Sequence, residues 1–149
     1  DLGEGKLLQP AAGNVIGNAD PEIVVSSSVE GALGNSVSVL DAAGNLLYSQ
    51  TLGYNAPTAA LLKDLDHDGL AEVMVLTHSC NAPQPPKDSR LFIWKITPAG
   101  FESFPGWPAE GYIFNDAVCL GMPAAADMNH SDKVSVVVST YRSKLYLFN

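Results

Sequence analysis

The sequence predicts an all-β chain: β-propeller blades of four antiparallel strands, in about three repeats of which the last is incomplete. Three observations carry this. Strand-like alternation recurs at an even spacing, with Asn35, Ser89 and Ser143 opening equivalent segments 54 residues apart. A polar loop running into a β-branched run recurs upstream of each of those segments. No segment shows a convincing helical period. Self-similarity near 50 residues with four strands per unit is the mark of a propeller blade. A stacked solenoid uses shorter repeats, and a sandwich does not repeat in this way.

The elements follow in a constant order. A small-residue strand comes first, with Pro10-Ala11-Ala12 and Pro123-Ala124-Ala125 at matching distances before their loops. The loop and second strand come next, where Asn14–Val25 (NVIGNADPEIVV), Asp64–Val75 (DLDHDGLAEVMV) and Asp127–Val138 (DMNHSDKVSVVV) align. The third strand lies in Asn35–Asp41, Ser89–Lys95 and Ser143–Asn149, each opening on polar or basic residues and then alternating. The fourth follows a hairpin. Ala42-Ala43-Gly44-Asn45 leads into Leu46–Gln50, and Pro98-Ala99-Gly100 leads into Phe101–Phe104, each with a glycine for the tight reversal. The units run approximately 1–52, 53–115 and 116–149, the last truncated, within a single repeat domain 1–149. Propellers typically close with four to eight blades. Further blades are therefore expected from more chain, from a partner or from several copies of this chain, since an unpaired edge at each end invites aggregation.

Composition narrows the function. The 149 residues include 46% hydrophobic, enough for a real core. Sixteen acidic against eight basic residues give a net charge of −8, with no basic cluster, which argues against nucleic acid. No apolar run approaches the roughly 18 residues that span a membrane. No leader is visible and the first residue is Asp1, as expected of a mature or processed chain. Cys80 and Cys119 lack zinc or haem spacing, and spacing alone leaves a disulfide and two free thiols equally open.

The chemistry concentrates in Asp64-Leu65-Asp66-His67-Asp68-Gly69-Leu70-Ala71-Glu72. Oxygen ligands at alternate positions of a tight loop suit a hard cation, above all calcium. An EF-hand needs a bidentate Glu at position twelve and flanking helices; position twelve here is Val75 and the flank is a strand, so that reading fails twice. A nine-residue loop remains. Its expected Ca2+ ligands are Asp64, Asp66, Asp68, the Leu70 carbonyl and Glu72, with water completing the shell, and Gly69 supplies a positive φ. The competing reading is an acidic surface turn, since Asp and Gly favour turns without any metal. Three like charges at alternate positions nevertheless call for a counter-ion.

Other candidates are weaker. His67 and His130 match in the aligned loops; a second metal or a catalytic pair competes with solvent-facing, non-ligand positions, which we favour. His78 near Cys80 suggests a soft metal site or a Cys–His nucleophile but has no third group. Trp94, Trp107, Tyr112, Phe92, Phe101, Phe104 and Phe114 offer either a sugar-stacking platform or, as strand spacing favours, packing between blades. The loop Ala82–Lys87 is proline-rich and reads either as a recognition loop or as a stiff spacer. No G-x-S-x-G, phosphate-cradling loop or H-E-x-x-H occurs.

These residues resemble the FG-GAP/VCBS repeats of integrin α-subunit propellers and of many secreted bacterial proteins, over essentially the whole chain. DLDHDGLAEVMV is similar to that family's D-x-D-x-D-G-x-x-D/E calcium loop and strand. Pro123–Asp127, Lys144–Phe148 and the G-[FW]-P-like Pro105-Gly106-Trp107-Pro108 support the likeness. The resemblance implies a propeller with calcium in loops between strands of a blade. Two loops depart from the pattern. Asn14, Ile16 and Asn18 replace the first three Asp positions, although Glu22 persists. In the third, Asp132 replaces the glycine, Lys133 enters and Ser135 replaces the last carboxylate, leaving Asp127, Asn129 and Ser131 as oxygens for a weak site. Glu72 stands where Asp is commoner; being longer, it either reaches the ion through water or only caps the loop. The resulting expectation is a calcium-stabilised extracellular or cell-surface segment that scaffolds or binds a protein or glycan, with no membrane span and no catalytic residues of its own. The alternatives are a fragment of a secreted hydrolase or lyase with its catalytic groups elsewhere, and a self-assembling subunit completed by neighbouring copies.

Overall fold

The computed structural model describes residues 5–29, 34–53, 56–78, 89–114, 121–128, 133–140 and 143–149. Cys80, Cys119, His130, the loop Ala82–Lys87 and the centre of the third polar loop, including Asn129, Ser131 and Asp132, lie outside them. Every regular element among the described residues is a β-strand, and the strands pair antiparallel into three sheets. Among the described residues no helix is long and apolar enough to cross a membrane.

The first sheet holds β1 (Lys6–Leu7), β2 (Ala11–Gly13), β3 (Glu22–Ser28), β4 (Asn35–Leu40) and β5 (Leu46–Gly53). β1 and β2 both pair with β3, at its two ends, so they are one strand interrupted in the middle. The sheet thus has four lanes in chain order. The second sheet repeats this with β6 (Ala56–Pro57) and β7 (Leu61–Lys63) along β8 (Glu72–His78), then β9 (Ser89–Thr97). Its fourth lane is also interrupted: β10 (Gly100–Ser103) and β11 (Tyr112–Phe114) pair with opposite ends of β9. The third sheet has three lanes, β12 (Ala124–Ala126), β13 (Ser135–Ser139) and β14 (Leu145–Phe148).

The register is the same in all three. Ile23 faces Leu40, Val73 faces Trp94 and Val136 faces Phe148, at positions that correspond in the sequence alignment. Turn chemistry helps to set this register. In the first hairpin, Asp41 Oδ1 accepts from the N–H groups of Ala43 and Asn45, and Gly44 takes φ 86°. In the second, Gly100 takes φ 110°.

Two cores lie between successive sheets. Val15, Val24, Val37 and Val39 meet Ala60, Val73, Val75, Trp94 and Ile96 between the first and second. Met74, Leu76, Leu91, Ile93 and Phe114 meet Val136 and Val138 between the second and third. Alternating residues of β8 thus serve opposite cores, which is why Val73-Met74-Val75-Leu76 is apolar without interruption. The aromatic residues of the second unit sit in these seams. Phe92 stacks on Trp94 at 4.9 Å, and Trp107, Tyr112 and Phe114 gather round Phe148.

Candidate metal centre

The acidic loop connects β7 to β8, so the pairing of those strands brings its two ends together. Its backbone is built by its own side chains. Asp64 Oδ2 accepts from Gly69 N–H at 3.0 Å, and Asp68 Oδ1 accepts from Leu70 N–H at 2.8 Å. Glu72 Oε2 accepts from Leu65 N–H at 2.6 Å. Gly69 has φ 89°, as the tight turn requires. The first loop uses a similar scheme with asparagines in place of two of the aspartates: Asn14 Oδ1 accepts from Gly17 N–H, Asn18 Oδ1 from Asp20 N–H, and Glu22 Oε2 from Val15 N–H. The two loops are tied together by Ala71 N–H donating to Asn14 O at 2.8 Å.

One oxygen of each of Asp64, Asp68 and Glu72 therefore shapes the loop, and the second oxygens of Asp64 and Glu72 are left without a hydrogen bond. Asp64 Oδ1 and Glu72 Oε1 are buried and have no hydrogen-bond partner among the described residues. Glu72 is only 1% exposed. Ligand oxygens of Asp64, Asp66 and Glu72 lie within 4.8 Å of one another, so this trio could hold a metal ion. Buried, unpartnered carboxylate oxygens that converge are the donor set a hard cation needs. Asp68 is outside this trio, and Leu70 donates its N–H to Asp68 Oδ1.

A cationic side chain from another strand, which the sequence reading missed, also reaches the loop. Lys95, on β9, bridges Asp66 Oδ2 at 2.7 Å and Asp68 Oδ2, and its Nζ is 3.7 Å from Glu72 Oε1. The two aspartates hold the ammonium well above the usual lysine range. Asp68 is in turn held below the usual carboxylate range, first by its bond from Lys95 and then by Leu70 N–H. Glu72 moves the other way. Burial pushes it up, Leu65 N–H opposes, and the nearby Asp66 charge adds to the rise. In the repeat Lys95 occupies the position of Asp41 and Asn149, and the structure places the third copy's pair alike: Asn149 Oδ1 accepts from Ser135 Oγ, the residue equivalent to Glu72.

The remaining candidates do not form a second centre among the described residues. His67 takes φ 61°, matching Gly17 at φ 81° in the first loop, so its position is one the loop backbone demands. His78 ends β8 and is half-buried; burial lowers its pKa. In the third loop, Asp127 is described but Asn129 and Ser131 are not. No family model, curated protein or solved structure matches the chain.

Proposed function

We propose that this chain is a calcium-stabilised propeller segment of the FG-GAP/VCBS kind, each sheet a blade, working outside the cell as a scaffold or as a module that binds a protein or glycan. The observation that carries the reading is a pair of buried oxygens that accept no hydrogen bond, Asp64 Oδ1 and Glu72 Oε1 (the latter 3.7 Å from the Lys95 ammonium), converging with Asp66. The common register of the three sheets supports the blade assignment. Calcium here acts on stability: it neutralises Asp64, Asp66 and Asp68 and pins the β7–β8 loop.

Lys95 supports a second reading, in which the ammonium alone closes the loop and no metal is needed. Titrating the protein with calcium, by calorimetry and by thermal melting against EDTA, separates the two. Extracellular calcium modules bind at about 10⁻⁴–10⁻³ M. A tenfold excess over the dissociation constant stabilises the fold by roughly 1.4 kcal/mol. Asp66→Ala should abolish the response. Lys95→Met should tighten calcium binding by about tenfold, because a competing charge is removed. Melting that EDTA and calcium leave unchanged in both wild type and Lys95→Met establishes the lysine-closed loop instead.

A further inference from the structure

The two sheet–sheet interfaces inside the chain follow one rule, and the third sheet presents the same rule to solvent. Val24 and Met74 are equivalent, and each is buried against the following sheet. The next equivalent is Val137, on the far face of the third sheet. Val37 and Leu91 are fully buried at 0% exposure, whereas their equivalent Leu145 is 71% exposed. Val39 and Ile93 are likewise buried, at 0% and 2%, whereas Leu147 is 53% exposed. Even the loops agree. Val15 packs into the first core and Leu65 against the second, but Met128 is 64% exposed. An apolar face of this kind, set by the register that makes two interfaces, is half of a third interface.

The other half is on the same chain. The receiving faces of the second and third sheets carry Val73, Val75 and Trp94, and Val136, Val138 and Phe148. In the first sheet those positions are Ile23, Val25 and Leu40. They alternate along β3 and β4 with Val24 and Val39, so they face away from the second sheet. Ile23 and Leu40 are half-buried at its margin and Val25 between them is 6% exposed, so this face is the better covered of the two.

We propose that the outer face of the third sheet docks on the outer face of the first sheet of a second copy of this chain, head to tail. The occupant follows from continuity: each internal interface joins this pair of faces, and among the described residues the chain has one of each with no sheet of its own stacked on it. Such a contact is heterologous, so it repeats until a ring closes or a filament grows. It rests on the shared register alone, and a failure of calcium binding leaves it standing.

The test is sedimentation velocity with light scattering on the whole chain, from about 1 to 100 μM, a range that covers weak, standard-sized interfaces. The expected result is mass that rises with concentration. Leu147→Asp on one face and Ile23→Asp on the other should each weaken association by about tenfold or more. Mixing the two variants should restore a one-to-one pair that grows no further, since each keeps the half the other lacks. Leu145→Lys and Leu40→Lys repeat the experiment at the adjoining positions, and circular dichroism verifies folding. A wild type that stays monomeric overturns the proposal, as does association that survives Leu147→Asp. Association lost in Leu147→Asp but kept in Ile23→Asp overturns it too, because third sheets would then be pairing with each other.

Discussion

Glu72 and Glu22 begin β8 and β3 at equivalent positions, and both are buried at 1% exposure. Each uses Oε2 to accept from the backbone at the start of its loop. Glutamate rather than aspartate at this position is thus first an architectural choice: the longer side chain spans the loop and caps it. Oε1 of both glutamates accepts no hydrogen bond among the described residues, but only that of Glu72 converges with other carboxylates. Glu72→Gln keeps the cap acceptor but removes the charge. It should fold at least as well as wild type in EDTA, yet lose the calcium-dependent rise in melting temperature. His78 supplies a separate prediction for pH. Its pKa is lowered from 6.5 by burial, so the unfolded chain takes up a proton before the folded one does. The stability it contributes is present above 6.5 and is lost as pH falls through its lowered folded value. Urea denaturation of wild type against His78→Gln should show a smaller loss for the variant below about pH 6.5.

The elements differ from one another chiefly in which faces are covered. The fourth lane of the second sheet is interrupted between β10 and β11, and the segment in between carries Trp107 into the second core. Phe104 O accepts from Trp107 N–H, Gly106 takes φ 81°, and Trp107 Nε1–H donates to Leu91 O at 2.9 Å. The ring then meets Phe148 edge-on at 5.1 Å, across the seam. Trp107→Ala removes both the packing and the bond. Because the ring is only partly buried, it should cost less than the about 3–5 kcal/mol of a core tryptophan, read as a lowered urea midpoint with an unchanged slope. Lys95 illustrates the same point for charge. Its place on β9 opposite β8 brings an ammonium from another lane into a loop whose own sequence holds only carboxylates.

At the scale of the whole molecule, the second sheet is covered on both faces and the flanking sheets on one. Val73, Met74, Val75 and Leu76 are all at 0% exposure, whereas β14 bears Leu145 and Leu147 in the open. Protection should follow burial. In native-state amide exchange at low protein concentration, β8 amides should be the slowest and those of β14 among the fastest. Raising the concentration should slow β14 selectively if copies dock as proposed. The four-lane order of the first two sheets was legible in the sequence because alternation, Gly-bearing hairpins and the 54-residue offset all agree. The interruptions of the first and fourth lanes were not, because short strands of two or three residues carry too few alternations to register as a period.

The sequence by itself determined the β character, the alignment of the polar loops and the carboxylates able to meet a cation, because these depend on periodicity and on residues near one another in the chain. The tertiary structure decided the rest. It determined which oxygen of each carboxylate builds the loop and which is left for a cation, that Lys95 reaches that cluster from another strand, and that the apolar positions buried in two sheets are exposed on the third. Those outcomes depend on lateral strand pairing and on stacking of sheets, and the spacing of residues along one strand carries no record of what is laid against it.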